Sequence, residues 1–477
     1  MQSIAQSFSP DIAFAYRLAT KLKVDSARTI ANQPRSGDDW AQAQITLTMA
    51  DLVENLVIER NEQPAGLEER FESRIEQLEK SETVWGRHAL AETKLAYGMI
   101  EARYGENFSA FKKIRSAYHL ERDLLKEAPD FLPAIKAMGV YNTILGLATR
   151  QYKWTMKMLG LAGDYKTGLE QLRRAATQPN AQQRDAQLLL AVFETGMEEK
   201  PDEGLRLLAA YTGAEADDVL GLTAQAFQLM RAGRNEEALS IIRTYRKDTG
   251  QLPYYYPLLI EGQLWLQRLQ YDKARALLEK YLEVCSEKRF VKDLHYQLFL
   301  AEYLYGNESM ANQHYYAITT QGNTGSDGDR FALYFAKRGI IPNKMLLRAR
   351  LLFDGGFYDR ALTTLDSIRP IELRTNMEQT EYIYRRARIE HKQGKLPEAQ
   401  RHYEGVLAIA GLDPSYFAPM SCLQLGDMSV KQNELAKAAD YYQRAERYPE
   451  HEYKESLDYR AGRALKRVRK KMKQAGR

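Results

Sequence analysis

The 477-residue chain contains few of the residues that cross-link or interrupt a fold. Its two cysteines, Cys285 and Cys422, exclude a disulfide framework and an all-cysteine metal site. It has 30 glycines and 15 prolines, a share below that of an average protein. Because glycine and proline punctuate short strands and turns, their scarcity favours helices. The length allows about three domains or one long repeat array.

The sequence also lacks a long apolar run. The longest candidate, Ala137–Thr149, has 13 residues between two basic ones and is too short to cross a bilayer. No charged stretch followed by an apolar one opens the chain, so we expect a cytoplasmic location for the chain as given. Met1–Gln6 is similar to the end of a secretory signal. If it is the remnant of a truncated signal peptide, the protein is periplasmic or exported.

Catalytic and metal-binding motifs are missing. The seven histidines include no His-x3-His pair, and neither His-Glu-x-x-His nor Gly-x-Ser-x-Gly occurs. The Asp-containing stretch 321–329 lacks the bidentate glutamate of a calcium loop and is predicted to be a solvated surface loop. We therefore expect no enzyme activity, no cofactor and no metal.

Positive charge is concentrated at one end of the chain. The formal net charge is +5, but Arg460–Arg477 carries nine Lys/Arg and no acid, which leaves the rest at −4. The body is slightly acidic, and the basicity belongs to the tail. On this ground we predict no nucleic-acid partner.

What the sequence does contain is a repeated pattern, Gly-x4-Ala-x3 followed by a large aromatic or aliphatic residue. Small residues that open the second helix of each copy recur at spacings of 36, 34, 36, 37, 50, 38 and 39 residues. They are the predicted repeat-packing anchors Gly168, Gly204, Ala238, Ala274, Ala311, Ala361, Ala399 and Ala438. The pattern resembles the tetratricopeptide repeat, whose period is about 34.

The physics of such a repeat supports the same fold. Each copy is predicted to form two amphipathic helices, neither of which can bury its apolar face alone. Small residues in both helices let the backbones approach closely, and a glycine ends the first helix. We predict an all-α fold, an α-solenoid of tetratricopeptide-like helical hairpins in a right-handed superhelix.

Breaks in the period and the charge of the tail set the predicted domains. Residues 1–164 form an N-terminal helical region with divergent repeats and an apolar insertion at about 129–164. Residues 165–450 form the repeat array. Residues 451–477 form a basic C-terminal helix or tail, predicted to cap the array by docking on residues 425–445.

The insertion carries a further motif, made of Met158-Leu159-Gly160-Leu161, Gly163-Asp164 and Gly168-Leu169. Over residues 129–169 it resembles the eukaryotic tetratricopeptide repeat protein 39 family, which is linked to inclusion-body clearance. That family's Pro-Pro before the helix is absent, and Arg150-Gln151-Tyr152-Lys153 stands there instead. The resemblance implies a non-enzymatic, adaptor-like role and carries over no catalytic residue.

In tetratricopeptide arrays the first helix of each repeat faces a concave groove. The resemblance to the tetratricopeptide repeat places six candidate partner-binding residues in this groove: Tyr256, Gln263, Asn343, Arg350, Tyr384 and Arg388. Their mixture of aromatic, polar and cationic side chains suits an extended peptide or protein segment. The predicted function is a protein-interaction scaffold.

Two alternatives stay open. One is a peripheral membrane or lipid-associated protein that uses the apolar insertion and the basic tail, with a membrane surface as a less favoured partner. The other is an exported carbohydrate-capture protein on a tetratricopeptide scaffold, with aromatic platforms for the sugar. An authentic upstream signal peptide would favour the carbohydrate-capture protein.

Overall fold

The computed structural model describes residues 6–475 apart from residues 59, 61, 148–155, 157, 197–200, 246–249, 285–288, 412–414, 450 and 452. This described part of the chain contains 24 α-helices, one short 3-10 turn and no strand. The prediction of an all-α helical-repeat fold is confirmed. Within the same ranges no helix is long and apolar enough to cross a bilayer.

Consecutive helices pack as pairs, as in a tetratricopeptide-like array. The helices up to residue 244 are α1 Pro10–Thr20, α2 Val24–Ala31, α3 Gly37–Val57, α4 Leu67–Leu78, α5 Val84–Arg103, α6 Asn107–Glu127, α7 Leu132–Leu147, α8 Tyr165–Thr177, α9 Gln183–Gly196, α10 Pro201–Ala214, α11 Val219–Arg231 and α12 Asn235–Thr244. The helices that follow are α13 Tyr256–Gln267, α14 Tyr271–Val284, α15 Val291–Tyr305, α16 Glu308–Thr320, α17 Asp327–Arg338, α18 Lys344–Asp354, α19 Tyr358–Asp366, α20 Asn376–Lys392, α21 Leu396–Ile409, α22 Phe417–Lys431, α23 Leu435–Arg447 and α24 Lys454–Ala475.

The chain divides into two compact units. Unit 1 comprises Met1–Leu264, Ala274–Leu298 and His314–Leu333, and unit 2 comprises Trp265–Lys273, Phe299–Gln313 and Tyr334–Arg477. The boundaries at residues 164 and 450 stay predictions from the sequence.

Small residues lie where two helices of a pair touch. A Cβ added to Gly168 would lie 2.5 Å from the backbone nitrogen of Thr143, and one added to Gly204 would lie 2.2 Å from that of Thr195. Real Cβ atoms do not approach backbone so closely, so these contacts require glycine. All eight predicted anchors are buried: Gly168, Gly204, Ala238, Ala274, Ala311, Ala361, Ala399 and Ala438.

In three helix pairs, the first helix ends at a glycine whose backbone is in the left-handed region. Gly233, Gly356 and Gly394 have φ angles of 72°, 81° and 77°. Beyond Gly356, the N–H of Phe357 donates to the carbonyl of Leu352 at 2.9 Å. This is the bond of a Schellman motif, which satisfies a terminal carbonyl and turns the chain into the second helix.

The N-terminal segment of unit 1 is held by residues far along the chain. The N–H of Ala181 donates to the carbonyl of Gln6 at 2.8 Å, and the side chain of Gln251 donates to the carbonyl of Lys21 at 3.1 Å. The ammonium of Lys21 lies 2.7 Å from the carboxylate of Glu215. A regular repeat array has contacts between neighbours alone, so this segment departs from that rule.

The loop at 321–329 is solvated at its start but not at its end. Residues 321–325 are exposed, whereas Asp329 is 0% exposed. The Asp329 carboxylate accepts the backbone N–H of Phe290 at 2.9 Å and of Lys292 at 3.1 Å, and the hydroxyl of Ser326 at 2.7 Å. The expectation of a solvated loop is corrected for this end, because the acid satisfies the N–H groups at the start of α15.

The C-terminal helix α24 docks on α22 and α23. Its buried stripe, which includes Leu457, Ala461 and Val468, packs in one cluster with Cys422 and Tyr442. Burial raises the pKa of the Cys422 thiol to about 12. The predicted capping role therefore has a packed apolar interface beneath it.

Candidate partner-binding surface

The first helices of three predicted repeats lie side by side in unit 2. Helix α20 packs against α18 on one side and against α22 on the other. Arg350 on α18 and Arg388 on α20 occupy the same repeat position, and both are half-buried. We call Arg350, Asp354 and Arg388 the arginine surface.

Arg388 is fixed by aromatic side chains from two helices. Its guanidinium carbon lies 4.8 Å from the centre of the Phe353 ring, and its Nη1 donates to the Tyr384 hydroxyl at 2.7 Å. A guanidinium stacked on a ring loses little conformational freedom when it binds a carboxylate. The hydrogen bond to Tyr384 uses one of its five donors.

Arg385, on the same helix, is bound by other side chains of the fold. Its side chain is buried, and its Nε and Nη2 donate to one Glu381 oxygen at 3.1 and 2.9 Å. Its Nη1 donates to the Tyr416 hydroxyl at 3.2 Å, and burial raises the pKa of Tyr416 to about 12. The charge of Arg385 is thus compensated within the fold.

One carboxylate lies among these cations. Asp354 is exposed and interacts electrostatically with Arg350, Arg385 and Arg388. Arg385 is paired with Glu381, whereas Arg350 and Arg388 both interact with Asp354. The three residues of the arginine surface are two cations and one acid, a composition that attracts acidic groups.

The structure separates the six predicted groove residues. Tyr384 is 0% exposed, so it holds Arg388 from the interior and does not lie on an open surface. Asn343 is the N-cap of α18, where its side chain accepts the N–H of Met345 at 2.9 Å. Tyr256 and Gln263 are half-buried and belong to unit 1. Arg350, Tyr384 and Arg388 come together in unit 2.

His391 lies one turn beyond Arg388 on α20. Its Nδ1 is 3.3 Å from the Tyr403 hydroxyl. Burial, together with the positive charges of Lys431 and Arg388, lowers the pKa of His391 to about 4. The folded chain therefore holds this imidazole neutral at pH values where an unfolded histidine, with a pKa of about 6.5, is protonated.

We expect His391 to make the fold sensitive to mild acid. Between pH 6.5 and 4 the unfolded chain binds a proton that the folded chain does not, so the free energy of unfolding falls as the pH falls. The variant His391→Gln should remove about 2 kcal/mol of that loss. Urea unfolding at pH 7 and pH 4.5 measures it. An unchanged pH dependence in the variant would contradict the assignment.

A larger polar cluster is buried in unit 1, and sequence reasoning missed it. His88 is 0% exposed; its Nδ1 lies 2.8 Å from a Glu121 oxygen and its Nε2 lies 3.2 Å from the Gln182 side-chain oxygen. The ammonium of Lys136 lies 2.9 Å from a Glu92 oxygen. We call His88, Glu92, Glu121 and Lys136 the unit 1 ion network.

His88, Glu92 and Glu121 each have one nitrogen or oxygen atom that could bind a metal, and these three atoms lie within 4.8 Å of one another. The contacts favour internal ion pairing, because a basic side chain already faces each carboxylate. Burial opposes the charge on His88, but attraction to Glu121 outweighs it and raises the pKa of His88. Burial likewise opposes the charge on Lys136, and attraction to Glu92 raises its pKa. We assign the network a structural role.

Comparisons with known proteins assign no function to the chain. No protein-family model and no curated protein matches the chain. Similar solved structures include the human IFIT1 dimer with m7Gppp-AAAA, at 15% identity over 92% of this chain and 95% of that chain, with a TM-score of 0.33. Yeast Tom70 is 13% identical over 97% of this chain and 83% of that chain, with a TM-score of 0.23.

One prediction is corrected by these comparisons. Human IFIT1 structures of the similar helical fold contain oligonucleotides, m7Gppp-AAAA in one and PPP-AAAA in another. A helical-repeat chain is therefore compatible with nucleic acid, and the prediction that excluded a nucleic-acid partner is wrong. The identities and TM-scores are too low to transfer a ligand to this chain.

Proposed function

We propose that the protein is a non-enzymatic interaction scaffold that binds an extended, acidic protein segment at the arginine surface. The observation that supports it is the pair Arg350 and Arg388, which come from the same position of neighbouring repeats and share Asp354. A guanidinium binds a carboxylate through two parallel hydrogen bonds, which gives both affinity and orientation.

The arrangement also suggests how a segment would bind. The ring of Phe353 and the hydroxyl of Tyr384 hold Arg388 before any partner arrives. Such pre-ordering lowers the entropic cost of binding. Because Asp354 already attracts both arginines, an incoming acid replaces an existing electrostatic interaction. Binding should therefore be moderate in strength and weaken with salt.

The resemblance to the tetratricopeptide repeat protein 39 family supports an adaptor role, but its glycines are explained by packing. A Cβ added to Gly163 would lie 2.9 Å from the carbonyl oxygen of Asn142, and Gly168 contacts Thr143 as described above. Residues 148–155 and 157 of the insertion lie outside the described residues. The proposal therefore rests on the arginine surface.

A peptide selection tests the proposal. A random 12-residue phage library is selected on the full chain, and acidic residues should be enriched in the peptides that bind. The affinity of the best peptide, measured by fluorescence polarisation, should fall at least about tenfold in Arg350→Ala/Arg388→Ala, since each charge-assisted contact contributes about 1–3 kcal/mol.

The matched control is Arg369→Ala/Arg374→Ala, which removes two exposed arginines of the same unit. It should leave the affinity within about twofold, as surface charges act weakly at a distance in salt. Peptides without acidic residues, or equal losses in the two double variants, would overturn the proposal.

A further inference from the structure

The end of helix α24 projects beyond the core on which the helix docks. Its buried stripe includes Leu457, Ala461 and Leu465 and ends at Val468. Residues 469–474 are all exposed. With a rise of 1.5 Å per residue, these six residues extend about 9 Å past the last buried contact. The packed stripe holds this end as a helix and fixes its direction relative to α22 and α23.

The projecting end and the outer face behind it are cationic. The sequence from Tyr459 to Arg477 contains no acid, and the preceding Asp458 is paired with Lys454 at 2.9 Å. The exposed basic residues that form this basic ridge are Arg463, Lys466, Arg469, Lys470, Lys471 and Lys473. Packing on the repeat array uses the opposite face of the helix, and within the ridge Arg469 also interacts electrostatically with Glu446 of α23.

We infer that the basic ridge is a docking site for duplex DNA, which it contacts through backbone phosphates without reading the base sequence. Lys466, Lys470 and Lys473 are separated by four and three residues, so they lie on one face at steps of about 4.5–6 Å. Duplex DNA carries one negative charge per about 1.7 Å of its axis, so each step of the ridge faces about three phosphate charges.

Two observations favour duplex DNA over other polyanions. The sequence 460–477 contains no aromatic residue, so the ridge offers no platform on which the bases of a single strand could stack. The major groove of B-DNA is about 12 Å wide and admits a helix end between its two rows of phosphates, whereas that of duplex RNA is too narrow to admit one.

A membrane surface fits the helix less well. The apolar residues of α24 are turned into the repeat core, and Met472 is the large apolar side chain that the described part of this helix exposes. Interfacial helices bury a continuous apolar face in the lipid, which α24 has already used for docking. This surface is separate from the arginine surface, and the inference does not depend on the proposed function.

The test measures binding of a fluorescein-labelled 24-base-pair duplex to the full chain by anisotropy at several salt concentrations. We expect micromolar binding at low salt and a logarithmic salt slope of about −0.9 for each phosphate contacted. The variant Lys470→Glu/Lys471→Glu/Lys473→Glu should bind at least 30-fold more weakly, with a slope shallower by about 3. These residues are exposed, and circular dichroism should show an unchanged fold.

The matched control reverses the same number of charges elsewhere, at the exposed lysines Lys280, Lys337 and Lys395. It should lose less than threefold in affinity, which separates a local site from an effect of net charge. Equal losses in both triple variants, no DNA binding at 50 mM salt, or binding to vesicles with 30% phosphatidylserine but not to DNA would each overturn the inference.

Discussion

The variant Ala399→Arg is expected to lose at least about 4 kcal/mol of unfolding free energy. Ala399 is 0% exposed and lies in one apolar cluster with Tyr384, Ala387 and Tyr403. An arginine there adds volume to a packed helix contact and places a charge inside an apolar cluster. Because repeats are stabilised by their neighbours, the loss should spread to adjacent helices. Urea unfolding followed by circular dichroism measures it.

Ala408→Arg is the matched control, because Ala408 is exposed on the same helix, α21. Its unfolding free energy should stay within about 0.5 kcal/mol of the wild type, as is usual for surface substitutions. Indistinguishable unfolding curves for the two variants would show that Ala399 is not a packing anchor.

The variant Lys136→Met should cost about 3–5 kcal/mol, the usual effect of removing one partner of a buried ion pair. The Lys136 side chain is 8% exposed and that of Glu92 12% exposed. Methionine matches the length of the lysine stem, so the loss comes from the charge. Without the ammonium, Glu92 loses its partner at 2.9 Å, and its carboxylate lies within 4.8 Å of that of the buried Glu121.

A second substitution separates charge from packing. In Lys136→Met/Glu92→Gln the unpaired acid is neutralised, and we expect at least half of the lost free energy to return. The exposed pair of Lys80 and Glu76, 3.2 Å apart, provides the control. Lys80→Met should change stability by less than about 1 kcal/mol. If the double variant is as unstable as the single one, the ion network does not act through charge.

The packing anchors were predictable because their signal is local. A small residue such as Ala361 recurs at a fixed distance from a glycine such as Gly356, and two helices of about twelve residues force that spacing. The helix ends follow from the same pattern, since left-handed backbone at Gly356 and Gly394 suits glycine.

The orientation of the groove residues was less predictable. Each residue turns a helix by 100°, so a small error in assigning the repeat position moves a side chain from the surface to the interior. Tyr384 was predicted to face the groove but is buried. Leu346 and Leu423, at the same repeat position, are 0% and 2% exposed. That position is interior in α18, α20 and α22, whereas Arg350 and Arg388 are partly exposed.

The unit 1 ion network could not be predicted because its partners are distant in sequence. His88 and Glu121 are 33 residues apart, and His88 and Gln182 are 94 apart. In the sequence, each of these residues is indistinguishable from an ordinary polar residue on the exposed face of an amphipathic helix. Buried polar partners of this kind are recognised when the tertiary fold brings them together, and no motif spacing encodes them.

The docking of the N-terminal segment sets an order of events during synthesis. Lys21 leaves the ribosome 230 residues before Gln251, the residue that donates to its carbonyl. At about 5–20 residues per second, the segment waits on the order of 10–50 s for that partner. During this interval the side chains of Ala19 and Leu22 lack part of the surface that buries them in the finished protein, because their cluster includes Val219 and packs against Leu252. The docking of this segment is therefore completed when translation has passed the middle of the chain.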